Sequence, residues 1–569
     1  MASAGLSYQI LDWLNVAGRV RIDNTHSEYE GKLYASSSNT LTDGSSQGHY
    51  TVNNGQYSQT YADVLVNINK RIQDFTIVAN IGASYSGVTS KELGYAGPIR
   101  ETGIPNLFNV YDLDNAKKRA TQVGWREATE SIFASAEVGW KSMLYLTVTG
   151  RNDWASQLTH SPQASFFYPS VGLSAVITEM LKLPDWVDYL KVRGSFSSVG
   201  NPYPRFLTYP TYSYDANKQD WKSQTNYPIG KLYPERTDSW EVGLDATLFK
   251  DFKLSGSFYY ANTYNQTFDP RLPVSSGYDK LYVQTGYVRN YGFEAMLSYG
   301  HRWGDFGWDS SFTFSANKNE IVELVKDYVH PETGKTYNVD KLELKTDEGR
   351  GFGKAKFILK EGGTLGDLYT HADLKRDING NILIDDSGNV TAIDNAGDIK
   401  LGSVLPKANL AWNNSFSYKG INAGFLLTAR LGGIVYSATQ AYLDLYGVSE
   451  TSAAARDAGG VWINGRSHVN PQSFYEVVAS QSGLPTYYTY SATNLRLQEA
   501  HIGYTVPRRW LGNVCDINVS LVGRNLWMIY CKAPFDPEAV ATTNNYYQGI
   551  DYFMMPSTRN IGFNIKINF

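Results

Sequence analysis

The sequence predicts an all-β protein, a transmembrane antiparallel up-and-down β-barrel to which residues 1–569 contribute about 16–17 strands. Three observations support this prediction: polar and apolar residues alternate along the whole chain, the alternating segments are long, and short connections alternate with long ones. The segments run to about 10–15 residues, whereas soluble strands cluster near 5–6 and a membrane-crossing strand needs about 9–11. No change of composition divides the chain, so we expect a single barrel domain.

Alternation is clearest in residues 75–85, 188–198, 240–248, 252–260 and 421–429, where every second side chain is apolar. The other face carries charged residues, which a packed core would not accept but a water-filled lumen would. The predicted lumen-facing charges are Arg151, Arg193, Glu241, Arg430 and Arg524. We expect the arginines to balance carboxylates such as Glu137, Glu241 and Asp245, or others inside the lumen, more often than to contact a ligand.

The connections follow a strict order along the chain. Short links are predicted near 70–74, 140–142, 178–187, 249–251, 300–306, 419–420 and 506–515. Long excursions are predicted near 26–56, 88–125, 153–167, 200–235, 265–286, 319–403, 433–491 and 531–556. Periplasmic turns and extracellular loops alternate in this way in a membrane barrel, so we expect the long loops to be extracellular and the C-terminus periplasmic.

The last strand alternates up to the C-terminal residue. Its apolar side consists of Ile561, Phe563, Ile565, Ile567 and Phe569, which we expect to face lipid. Bacterial outer-membrane barrels typically end in this way, and the similarity implies that the barrel assembly machinery recognises this strand. Tryptophans near strand ends are predicted to form an interfacial girdle: Trp13, Trp125, Trp140, Trp186, Trp240, Trp308 and Trp527.

Composition and motifs exclude several classes of protein. The mean hydropathy is -0.35, and no apolar run of about 18 residues exists to cross a bilayer as a helix. The net charge is -4 without a basic cluster, which argues against nucleic acid as a partner. No hydrolase elbow, His-Glu-x-x-His, Walker loop or CxxC pair is present, and the eight histidines are scattered. The sequence therefore gives no sign of an enzyme.

One segment resembles the start of a calcium loop. Asp377, Asn379, Asn381 and Asp385 offer oxygen ligands at nearly alternate positions, which hard cations prefer. The glycine and glutamate expected at loop positions six and twelve are replaced by Ile382 and Gly388. A tight turn at Asn379-Gly380 explains the segment better, and no other cofactor is predicted.

Aromatic residues in the long excursions could stack on a sugar ring or hold a peptide. The candidates for cargo contact are Trp154, Tyr212, Trp221, Trp462, Tyr487 and Tyr546. Most aromatic residues in loops pack the loops against one another, so for each single residue packing is expected more often than contact with cargo.

Four stretches resemble the SusC/RagA family of TonB-linked outer-membrane proteins. They are KLYPERTDSWEVG at 231–243, LKVRGSFSSVG at 190–200, YVRNYGFE at 287–294 and SLVGRNLW at 520–527. The resemblance extends over nearly the whole chain. It implies a barrel of about 22 strands with a plug, a TonB-contacting segment and a SusD-like surface lipoprotein as partner in the outer membrane.

The resemblance also implies import of a glycan or a peptide, and the sequence does not choose between them. The first residues already have the pattern of a barrel strand, so we expect the plug and about five strands to come from an upstream segment or another chain. An open sheet edge would be costly in lipid. The alternatives are a passive porin, which would need a complete set of strands, and a soluble β-rich glycan-binding protein.

Overall fold

The computed structural model describes residues 1–159, 161–207, 212–215, 220–222, 226–227, 232–268, 278, 280–329, 334, 336–344, 351–512, 514–542 and 548–568. In these ranges the chain is nearly all-β, and seventeen strands form one antiparallel sheet in which each pairs with the next along the chain. The predicted fold class and strand count are thereby confirmed. None of the helices in the described ranges has the length and hydropathy of a membrane span.

The sheet strands are numbered in chain order. They are β1 Ala2–Leu11, β2 Leu14–Leu33, β3 His49–Ile72, β4 Phe75–Pro98, β5 Arg119–Trp140, β6 Leu144–Ala155, β7 Ser165–Val176, β8 Val187–Asn201 and β9 Glu235–Leu248. They continue with β10 Phe252–Phe268, β11 Val283–Trp303, β12 Phe306–Glu323, β13 Ala408–Tyr418, β14 Ile421–Leu431, β15 Asn494–Val506, β16 Asp516–Cys531 and β17 Asn560–Asn568. Short and long connections alternate as the sequence predicts except around β7, where the predicted long excursion leaves only nine residues, 156–164, against ten in the link at 177–186.

Several strands are longer than the sequence predicts. β3 and β4 each have 24 residues, and β5 has 22. The predicted excursions at 26–56 and 88–125 therefore shrink to 34–48 and 99–118. Towards these loops the strands carry polar residues on both faces, so the alternation fades while the hydrogen-bonded ladder continues.

The chain divides into two compact units. The first comprises Met1–Ala175, Ser195–Asp238 and Thr263–Gln284, and the second comprises Val176–Gly194, Ser239–Asn262 and Thr285–Phe569. The first unit contains β1 to β6 and nearly all of β7. The second contains β12 to β17 and nearly all of β11.

In the first unit the sheet has one apolar face. The register aligns Ile68, Ala79, Ala136, Val148 and Val171 in one row across β3 to β7. Along β5 this face begins at Trp140 beside the short turn and remains apolar to Ile132. The next row away from that turn joins Val20, Ala62, Tyr85, Glu130 and Trp154, which ends the apolar band with aromatic and charged residues.

The second unit has an apolar face of its own. One row runs through Trp308, Phe416, Ala423, Ile502, Leu521 and Phe563, from β12 to β17. Ile565 is paired with Val519, and Ile567 with Ile517. Four of the predicted lipid-facing residues of the last strand, Ile561, Phe563, Ile565 and Ile567, thus share one face, while Phe569 lies outside the described residues.

Where the structure describes the long excursions, they contain short elements and hydrogen bonds of their own. In the first unit, the Ser45 hydroxyl donates to the Ile99 carbonyl at 2.6 Å, which joins the loop at 34–48 to the loop at 99–118. Short elements of this unit are the 3-10 turns Val110–Asp112 and Ser156–Leu158 and the strands Ser213–Asp215, Asp220–Lys222, Asn226–Tyr227 and Lys280–Leu281. In the second unit, the excursions at 324–407, 432–493 and 532–559 build what we term the surface cap.

The surface cap has its own hydrophobic core. Leu368, Tyr436, Phe474, Val478 and Ile550 come from all three excursions and are buried together. Its strands are Val325–Val329, Thr336–Val339, Lys341–Glu343, Gly351–Phe352, Ala355–Lys360, Asp367–Thr370, Asp373–Leu374, Ala392–Ile393, Ile399–Ser403, Ile434–Ser437, Val461–Ile463, Ser467–Val469, Thr489–Ser491 and Ile550–Asp551. Its helices are α2 Ala438–Leu445, α3 Glu450–Asp457, α4 Pro471–Val478 and the 3-10 turn Ser480–Ser482. Outside the cap lie α1 Ile177–Met180 and the turn Arg508–Leu511.

A buried ion pair anchors the third excursion to the sheet. The Arg496 guanidinium on β15 donates to the Asp536 carboxylate at 2.8 and 3.2 Å and lies 3.1 Å from Glu538. The side chains of Arg496 and Asp536 are 6% and 10% exposed. Burial acts to raise the pKa of Asp536, but hydrogen bonds from Arg496, the Glu538 N–H and Ser557 outweigh it and hold the pKa below the ordinary value.

Candidate functional site

The polar face of the first unit carries a row of paired charges. Arg19 on β2 donates to both oxygens of Asp63 on β3 at 3.0 and 2.9 Å. On the neighbouring strands, Arg151 donates to Asp153 and to the Ser131 hydroxyl, both at 2.7 Å. Arg151 therefore lies on the predicted face, but its partner is not the expected Glu137, which instead accepts from Thr147.

The four other predicted lumen-facing charges also lie on a polar face, in the second unit. Arg193 donates to Asp245 at 2.6 Å and lies 3.5 Å from Glu241, as expected. Arg524 pairs with Glu499 at 3.0 Å. Arg430 donates to the Val404 carbonyl at 2.7 Å, and its buried Nε has no partner among the described residues. That these faces line an aqueous lumen stays a prediction.

The suggested calcium segment forms two successive turns. One carboxylate oxygen of Asp377 accepts from the N–H groups of Asn379 and Asn381 at 2.8 Å, and the other accepts from the Asn381 side-chain amide at 3.0 Å. Asp385 accepts in the same way from Ser387 and Asn389. The Asn381 side chain and these N–H groups hold the pKa of Asp377 below its ordinary value.

These oxygens already serve as acceptors within their own turns. In the part of the chain that the structure describes, no group of three or more His, Cys, Asp or Glu side chains is placed to hold a metal ion. The geometry favours the tight-turn interpretation, with Gly380 at a φ of +85°.

The predicted cargo-contacting aromatics lie in different places. Trp154 belongs to the row that ends the apolar band of the first unit, which favours a girdle role over cargo contact. Tyr212 and Trp221 are exposed in the same unit. Trp462 is exposed on the surface cap, whereas Tyr487 packs against the cap core. Tyr546 lies outside the described residues.

The sequence interpretation missed one cluster on the polar face of the first unit. Tyr57 on β3, Ser90 on β4 and Trp125 on β5 are paired in one row, and the rings of Tyr57 and Trp125 meet edge to face at 6.4 Å. The guanidinium of Arg205 lies 3.8 Å from the centroid of the Trp125 indole and is bound by Glu127. Trp125 lies on the polar face and five residues beyond Glu130, a position that argues against the predicted girdle role.

Comparison with known proteins gives consistent results. A family model described as TonB dependent receptor-like, beta-barrel matches residues 1–526. TonB-dependent receptor P3 of Formosa agariphila is 24% identical over 524 residues, which cover 85% of this chain and 50% of that protein. TonB-dependent receptor SusC of Bacteroides thetaiotaomicron is 24% identical over 433 residues, covering 70% of this chain and 40% of that protein.

Among solved structures, the RagAB peptide transporter matches with a TM-score of 0.75 at 17% identity, covering 100% of this chain and 62% of that one. At this identity the likeness concerns the fold. The chain spans about half the length of the curated relatives it matches.

Proposed function

Because the chain belongs to the TonB dependent receptor-like β-barrel family, we propose that it forms most of the wall of an importer in the outer membrane of a Gram-negative bacterium. The family is one of receptors and transporters rather than of enzymes. The proposed cargo is a nutrient, an oligosaccharide or a peptide, and the proposed energy source is TonB acting through a plug.

The observation that carries the proposal is the apolar band of the first unit. On β5 it runs from Trp140 to Ile132 and ends at Glu130. From Trp140 to the row of Glu130, which closes the band, there are ten residue steps, which at about 3.3 Å correspond to roughly 33 Å along the strand. A strand tilted by about 45° then rises roughly 23 Å, close to the height of about 25 Å of the apolar band of an outer-membrane barrel. Aromatic residues flank this band at Trp140 and at Tyr85 with Trp154.

The same geometry supports an orientation. The short turns lie at the Trp140 end of the band, and the long excursions lie beyond its other end. We assign the turns and the C-terminus to the periplasm and the surface cap to the cell exterior, where a SusD-like lipoprotein would meet it. The predicted lipid contacts of Ile561, Phe563, Ile565 and Ile567 belong to this proposal.

Further strands are part of the proposal. Every residue of β1 and of β17 is exposed, and their ladders join them to β2 and β16. Unpaired backbone groups in lipid cost several kcal/mol each by order of magnitude. We propose that about five additional strands of the assembled transporter pair with these edges. The polypeptide segment that supplies these strands also supplies the plug.

Uptake in cells tests the proposal. Deleting the gene is expected to abolish uptake of one class of labelled oligosaccharide or peptide, and deleting TonB is expected to have the same effect. Uptake that survives loss of TonB, together with steady ion conductance of the purified protein in planar bilayers, would overturn active import in favour of the porin alternative. Recovery of the intact protein in the soluble fraction without detergent would overturn both and leave the soluble glycan-binding alternative.

A further inference from the structure

The cluster of Tyr57, Ser90, Trp125, Glu127 and Arg205 stands above the apolar band. Trp125 is five residues beyond Glu130 on β5, which places it roughly 16 Å further along the strand. In the proposed orientation this is the watery, extracellular end of the wall, on the face that would line the import path. From this geometry we propose that the cluster is a contact site for a neutral oligosaccharide, an assignment that rests on the proposed function.

The cluster is held in place before any ligand arrives. Ser90 on the intervening strand is small, so the rings of Tyr57 and Trp125 approach each other across β4 to 6.4 Å. The Arg205 guanidinium is stacked over the indole at 3.8 Å and is fixed by Glu127. Rings and a planar guanidinium fixed in this way lose little freedom when they bind, which favours affinity.

The surface of the cluster suits a sugar. Tyr57 is 40% exposed, and the Arg205 side chain is 35% exposed. Within the described ranges, Glu127 is the one acceptor found for the five N–H donors of this guanidinium, so its remaining donors are free for hydroxyl groups. A pyranose presents C–H groups to an aromatic ring and hydroxyls around its edge, and the cluster offers partners for both.

The neighbouring side chains argue for a neutral ligand. On the same face lie Gln59, Ser86 and Thr129, which are uncharged and polar. Two nearby pairs of charges neutralise each other, since Arg21 binds Asp23 at 2.6 Å and Arg205 binds Glu127. Glu92 adds a carboxylate two residues beyond Ser90, which disfavours an anionic ligand.

A peptide would use different chemistry. Extended peptides usually bind by adding a strand to a sheet edge, and their affinity comes from main-chain hydrogen bonds. Such binding would not depend on the ring of Trp125. An oligosaccharide stacked on the cluster would depend on it strongly, because its apolar C–H groups are then covered by that aromatic ring.

The test measures binding to the complete transporter, purified with its plug and any co-purifying lipoprotein. Isothermal titration uses maltoheptaose, cellohexaose and chitohexaose as neutral probes, oligogalacturonate as an anionic probe, and a pool of peptides of about 5–10 residues. Trp125→Ala is expected to weaken binding of a neutral probe about 10-fold or more, Tyr57→Ala less, and Arg205→Gln about 5-fold. Trp125→Phe should restore most of the affinity. The matched control is Trp240→Ala, which removes an exposed tryptophan from the apolar side of β9 in the other unit and should change affinity less than about 2-fold.

A second measurement does not depend on any variant folding. In the wild-type transporter, a saturating neutral probe should slow hydrogen exchange at 55–59 and 123–129 and leave β17 unchanged. Binding of peptides alone, binding of oligogalacturonate alone, or equal affinities of Trp125→Ala and Trp240→Ala would each overturn the site. TonB-dependent uptake accompanied by one of these results overturns the site and leaves the importer standing. Loss of neutral-probe binding in Trp125→Ala without any TonB-dependent uptake supports the site and overturns the importer.

Discussion

Replacing Asp536 with asparagine should destabilise the third excursion of the surface cap. The change leaves the Arg496 guanidinium 6% exposed and without the carboxylate that accepts two of its hydrogen bonds. Removing one partner of a buried ion pair costs about 3–5 kcal/mol. Because Glu538 remains 3.1 Å from the same nitrogen, we expect a loss near the lower end, about 3 kcal/mol.

Hydrogen exchange of the intact purified protein measures this loss where it occurs. Amides in 532–542 and 548–559 should exchange roughly 100-fold faster in Asp536→Asn, since about 1.4 kcal/mol corresponds to a factor of ten. The matched control is Asp305→Asn. Its carboxylate lies 3.8 Å from Lys419 with both side chains about two-thirds exposed, so removing it should cost less than about 1 kcal/mol.

The pH dependence gives an independent check of the same pair. The pKa of Asp536 is lowered in the folded protein, so its contribution is complete above the ordinary aspartate pKa of about 4 and is lost as pH falls through the lowered value. The difference between wild type and Asp536→Asn should therefore be constant from about pH 5 to 8 and shrink only in stronger acid. Equal exchange in the two Asp→Asn variants would refute the reasoning.

Three further predictions concern other parts of the molecule. Phe258→Arg, on the apolar side of its strand, should reduce assembly yield because a charge facing lipid costs about 2–4 kcal/mol at the midplane, and Ser195→Arg should be milder; equal heat-modifiable fractions on gels would contradict the assigned faces. Tyr203→Phe should leave the unfolding midpoint unchanged or raise stability by about 1 kcal/mol, because the buried Tyr203 hydroxyl has no partner among the described residues. A lower midpoint would reveal a partner for it. Asp377→Ala should speed exchange at 377–382, and a chelator should not; a chelator effect on wild type would favour the calcium interpretation.

The fold was predictable because alternation survives in each strand by itself. Residues 240–248 and 421–429 reveal their faces without knowledge of any neighbour. The family resemblance, drawn from stretches such as 231–243, is likewise confirmed by the family match. The ends of the strands were harder to predict from the sequence. β3 and β4 continue towards the loops with polar residues on both faces, so the alternation that marks a strand is lost there.

The cluster around Trp125 and the surface cap could not be predicted from the sequence for a different reason. Tyr57 and Trp125 are separated by a whole intervening strand, and Arg205 arrives from a loop after β8. Only the register across three strands brings them together. A signal was nevertheless present: Trp125 follows the odd-numbered parity of Glu127 and Ser131 on β5 rather than the parity of Ile132 and Trp140, which would have placed it on the polar face.

The hydrophobic core of the surface cap fixes the order of events during biogenesis. The core joins Leu368, Tyr436 and Ile550, which come from three separate excursions, so in the proposed topology it cannot form until all three have crossed the outer membrane. In the proposed topology the last of them precedes β17, and the cap therefore closes only when the final strand is being inserted. In that topology the core of the cap forms outside the cell, after the segments that flank it have entered the membrane.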